Sequence, residues 1–192
     1  MTPAPRYAPF VYVFVPFALL LTAGNVYAEL SPNLTFGRVI GTILLSAAFA
    51  LPAVVLFFQH DQATASPLRF RYWQLFWTFG FISYALHFYY SAGVWFEWDF
   101  AQIWRRQGTV VITTNCLLLL LWGIDVALGL CGQGVGGRPA LVLRWLTHLL
   151  FVVAFVTAAV VFRSDVRTTA SLVLGIVLPV SAGTALVLRW WR

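Results

Sequence analysis

Apolar residues gather into six runs, at about 8–28, 38–58, 72–96, 109–131, 141–162 and 168–190, parted by short polar stretches. Each run is close to the ~20 residues that carry a helix across the hydrocarbon of a bilayer. The pattern predicts an all-α, polytopic membrane bundle of about six transmembrane helices, one domain spanning 1–192. Pro16, Pro52 and Pro179 fall inside runs. They are expected to kink helices rather than end them, because neighbouring helices can satisfy the freed backbone groups. The first run follows Arg6 and ends in Val26-Tyr27-Ala28, the outline of a secretory signal. It is counted here as a retained helix.

The connections are too short for a soluble domain. Residues 29–37 and 163–167 allow only tight turns, whereas 59–71 and 132–140 read as polar or glycine-rich loops. The two halves share no self-similarity, which argues against a transporter built from repeats.

Composition sharpens this picture. Hydrophobic residues make up 61% of the chain and charged residues 9%, against roughly 25% charged in soluble domains. So few charges suit a surface that faces lipid. All twelve basic residues are arginine, which removes lysine Schiff-base chemistry. The arginines are scattered near helix ends, as headgroup anchors are, so no nucleic-acid partner is expected. With a cytoplasmic N-terminus, Arg6, Arg69, Arg71, Arg138, Arg144, Arg189 and Arg192 lie inside and Arg38, Arg105, Arg106, Arg163 and Arg167 outside. Seven against five favours both termini on the cytoplasmic side of a bacterial-type inner membrane. Cys116 and Cys131 share one apolar run about 22 Å apart along a helix, too far to pair there.

Titratable groups at membrane depth mark a partner or a function. His87, Asp125 and His148 are the three here, with Asn115 as an uncharged companion. Their distances from the run ends, roughly 9–13 Å at 1.5 Å per residue, sort them into two layers. His87 with Asn115 forms an outer layer, and Asp125 with His148 an inner one. Val111, Asn115, Leu118, Trp122 and Asp125 follow a 4-3-4-3 spacing, one inward seam. A hydrogen bond between Asp125 and His148 is the expected way to bury both. His87 is also the candidate axial ligand for a haem or chlorophyll-type pigment, because Gly80, Ser83 and Ser91 leave room on its face. No metal site is expected: HxxH, ExxH and HxxxH are absent from the sequence, and His60-Asp61 reads as a solvated loop dipeptide.

Sixteen of the thirty-three aromatic residues fall within 70–104. Trp95, Trp98 and Trp104, followed by Arg105 and Arg106, predict an interfacial belt running into a short amphipathic segment on the outer surface. Residues 88–106 are the expected contact with another subunit, or with a lipid or a cofactor such as quinone or pigment wedged at that junction. Small-residue ridges at Gly37 and Gly41, and at Ser171, Gly175, Pro179 and Gly183, would let helices approach closely. The leading expectation is a membrane subunit of a larger complex with a structural or assembly role, in contact with the lipid bilayer and other membrane subunits, and without catalysis of its own. The competing expectations are an electron- or proton-carrying subunit holding quinone, haem or pigment near His87 or Asp125, and a small transporter or channel.

Overall fold

The computed structural model describes residues 7–59, 66–131, 137–160 and 169–190, and the side chains of 158–175 and 190 lie outside the description. The tight turn at 163–167, His60-Asp61, the core of the glycine-rich loop and the Ser171 and Gly175 side chains therefore fall outside it as well. The described residues are helical nearly throughout: α1 (Ala8–Glu29), α2 (Leu34–Gln59), α3 (Pro67–Phe88), a π-helical continuation Tyr89–Trp95, α4 (Phe100–Gln107), α5 (Thr109–Leu130), α6 (Arg138–Val160) and α7 (Thr169–Trp190). Pro16, Pro52 and Pro179 all remain inside their helices.

Among the described residues, four helices are long and apolar enough to cross a membrane: α1, α2, α5 and residues 138–157 of α6. The chain is thus a multi-pass integral membrane protein. The sequence pattern counted six such helices. The apolar stretch of α7 within the described residues, Ile176–Arg189, is shorter than a span. Helix α3 carries Arg69, Arg71 and Gln74 in its first turns, and its indole and phenol groups lower its apolarity further.

Helices α2, α3 and α6 start before their apolar runs, where capping residues and prolines open the first turns. Ser66 caps α3, accepting from the Arg69 N–H, and Pro67 occupies the start, where its missing N–H is harmless. Asn33 accepts from the Phe36 N–H at 2.9 Å as α2 begins. Asp99 caps α4 by accepting from the Gln102 N–H at 2.9 Å. Helix α6 begins at Arg138 with Pro139 in its first turn, three residues before the apolar run.

Helices α2, α3, α5, α6 and α7 enclose the main core, in which Phe57, Trp73, Trp77, Leu118, Trp122, Phe151 and Leu178 are all at most 2% exposed. Helix α1 packs outside this ring against α2 and α3, with Val13 and Phe17 meeting Phe49 and Phe79. Lipid is as apolar as leucine, so helix association here relies on close packing and hydrogen bonds. Two glycines permit that closeness. A Cβ on Gly80 would lie 3.1 Å from the Ala50 backbone nitrogen, and at this crossing the Ser46 hydroxyl donates to the Gly80 carbonyl at 2.9 Å. A Cβ on Gly37 would lie 2.9 Å from the Ala28 Cα, at the α1–α2 corner.

Candidate functional site

The polar layer of Asp125 and His148 is built by α3, α5 and α6. Trp73 and Trp77, one turn apart on α3, both turn into the core. The Trp77 Nε1–H donates to Asp125 Oδ2 at 2.9 Å. The Arg144 Nε–H donates to Asp125 Oδ1 at 3.2 Å, closing an ion pair whose side chains are 2% and 1% exposed. The Arg144 guanidinium also lies 4.8 Å from the Trp73 ring centroid, a cation–π contact strengthened by desolvation. Among the described residues, Arg144 Nη2 and Trp122 Nε1 are buried without a hydrogen-bond partner.

His148 sits beside this pair and is not bonded to it through Asp125. Its Nε2 accepts from the Trp73 Nε1–H at 3.2 Å, and its Nδ1 lies 2.8 Å from the Arg144 carbonyl oxygen. An indole N–H only donates and a carbonyl only accepts, so the tautomer is fixed with hydrogen on Nδ1. The ring is stacked between Trp77 at 3.8 Å and Phe57 at 4.1 Å. The structure thus buries both Asp125 and His148 but corrects their expected mutual hydrogen bond: Arg144 and Trp77 hold the first, Trp73 and the α6 backbone the second. Both His148 nitrogens are engaged, which leaves no lone pair for a haem iron.

The sequence reading treated Arg144 as an anchor at the cytoplasmic surface. Counted from Arg138, however, Arg144 lies roughly 9 Å into α6, level with Asp125 roughly 8 Å from the end of α5, whereas His148 lies roughly 15 Å in. The usable signal was an arginine one turn before His148 on an otherwise apolar helix.

The seam on α5 faces inward, with Leu118, Trp122 and Asp125 buried and Val111 and Asn115 half-buried. In the layer of His87 and Asn115, Asn115 Oδ1 lies 3.2 Å from the Tyr84 hydroxyl, which donates to it and to the Asn115 carbonyl. His87 Nδ1 lies 2.9 Å from the Val39 carbonyl oxygen. His87 and Asn115 do line one cavity together, of about 20 Å³. That is room for a water and not for a macrocycle, so the residues about His87 do not fit an axially bound haem or pigment.

Beyond His87 the helix widens into the π-helical turn Tyr89–Trp95. Glu97 and Trp98 then take left-handed backbone conformations (φ 50° and 60°), which few non-glycine residues adopt. The chain reverses there, and the Trp98 indole lies over Gly93, where a Cβ would come within 2.7 Å of the ring. Helix α4 follows with Ile103 buried and Phe100, Trp104, Arg105 and Arg106 exposed. Trp95 and Trp98 are also exposed. Trp95 packs against Phe36, and the Trp104 Nε1–H donates to Thr109 Oγ1 at 2.7 Å. Among the described residues no group of three or more metal-ligating side chains comes together.

No protein-family model, curated protein or solved structure matches the chain.

Proposed function

We propose that this protein is a membrane subunit of a larger membrane assembly, acting through its outer aromatic surface rather than through chemistry in its core. One observation carries the reading. Asp125 and His148 are held by neighbouring protein groups, whereas Trp95, Trp98, Trp104, Arg105 and Arg106 are exposed on α4 and the turn before it. Tryptophan and arginine are the residues that interface cores favour. The occupant we assign to this surface is the helical edge of another membrane subunit, with lipid filling its margin.

In the same reading α3 and α7 also cross the bilayer, giving six crossings with both termini cytoplasmic in a bacterial-type inner membrane. Arg144 is neutralised by Asp125, so the arginine bias that orients the chain becomes six against five. Solubilisation in mild detergent tests the role. The wild-type chain is expected to copurify with a defined membrane partner, and Trp95→Ala combined with Arg105→Ala and Arg106→Ala to lose it while keeping native helicity. A chain that purifies alone, unaltered by these changes, contradicts it.

A further inference from the structure

The cavity beneath α4 is polar on several sides. His87 from α3, Ser91 from the π-helical turn, Gln107 from α4 and Asn115 from α5 line it, and Ile103 and Ile112 close its apolar wall. The Val39 carbonyl only accepts, so the His87 Nδ1 at 2.9 Å carries the ring hydrogen and Nε2 keeps its lone pair. Asn115 Oδ1 receives the Tyr84 hydroxyl, which leaves the two amide hydrogens of Asn115 to donate. The Ser91 hydroxyl and the Gln107 amide can each both donate and accept.

A buried water needs roughly 10–15 Å³ and two to four polar partners. The cavity, at about 20 Å³ with four polar side chains in its wall, meets both conditions. Its rim lies on the outer side, where Gln107 is half-buried and Phe100 exposed. The inner histidine offers the contrast, since Trp73 and the Arg144 carbonyl engage both nitrogens of His148.

We propose that this cavity is a hydrated site, in which one water joins His87 Nε2 to the Asn115 and Gln107 amides and links the imidazole to the outer aqueous phase. The ligand is water, and with it the proton that water can bring to Nε2.

Water-edited solid-state NMR on histidine-labelled protein in bilayers tests it, with His87→Gln assigning the signal. Magnetisation from water is expected to reach the His87 ring severalfold faster than the His148 ring. Asn115→Leu, which fills the cavity, is expected to slow the transfer to His87 and leave His148 as it was. If that variant does not fold, Gln107→Leu at the rim serves the same purpose with the same expectation. Transfer to His87 as slow as to His148, or transfer to His87 indifferent to the cavity-filling variant, overturns the proposal.

Discussion

A carboxylate at 1% exposure within a membrane bundle must be paired or neutralised. Asp125 is paired, by the Arg144 Nε–H and the Trp77 indole. Arg144→Leu is therefore expected to cost about 3–5 kcal/mol, the usual result of stranding one partner of a buried pair. The double variant Asp125→Leu, Arg144→Leu is expected to recover most of that loss, because the uncompensated charge goes with its partner. Thermal unfolding in detergent, followed by circular dichroism, measures both, and a double variant no more stable than the single would contradict the pairing. Trp73→Phe removes the N–H that His148 Nε2 accepts while keeping the aromatic packing. It is expected to cost about 1–2 kcal/mol by the same measurement, and an unchanged melting curve would contradict it. At this scale the sequence marked two of the buried groups but not the partners that meet them. Asp125 and His148 stood out as polar residues in apolar runs. Arg144, Trp73 and Trp77 did not, because an arginine near a helix start reads as an anchor and tryptophans in an aromatic stretch read as a belt.

Between elements, the α2–α3 crossing depends on the missing side chain at Gly80. Gly80→Val would push into the Ala50 backbone and the Trp122 ring, and such overpacking typically costs about 1–3 kcal/mol. Gly183→Val on α7, where an added Cβ meets nothing within 4 Å, is expected to leave the melting temperature almost unchanged. Equal effects of the two would mean that the crossing is not as close as described. The apolar runs located the helices because hydrophobicity is the same signal in sequence and in bilayer. Three of the helices, α2, α3 and α6, begin ahead of their runs, at Leu34, Pro67 and Arg138. The π-helical turn and the left-handed pair Glu97–Trp98 had no sequence signal. Rings occur all around α3, so no periodicity marks where the helix widens, and neither Glu97 nor Trp98 is a residue expected at positive φ.

For the whole molecule, the reading is a bundle whose interior polar groups serve its own architecture and whose outer face serves a partner. The exposed rings of Trp95, Trp98 and Trp104 lie where the sequence marks an interfacial belt, but the sixteen rings within 70–104 overstate that surface, because Trp73, Trp77, Phe79, Tyr84 and Phe96 of the same stretch are buried. The reversal that brings α4 back over the bundle was not legible in the sequence, because it depends on Trp98 lying against Gly93. The insertion direction belongs to this scale too. Accessibility reporters at both termini and in the 59–71 segment are expected to read cytoplasmic, and a 59–71 reporter on the opposite side from the N-terminus would break the six-crossing arrangement. The most direct test of the central claim is site-specific photo-crosslinking in the native membrane, with a photoreactive aromatic amino acid replacing Trp98 or Trp104 and, as control, Leu120 on the exposed face of α5. The account predicts a discrete protein adduct from the Trp98 and Trp104 positions and none from Leu120. Adducts with lipid alone at Trp98 and Trp104, with a protein partner captured elsewhere, would contradict it.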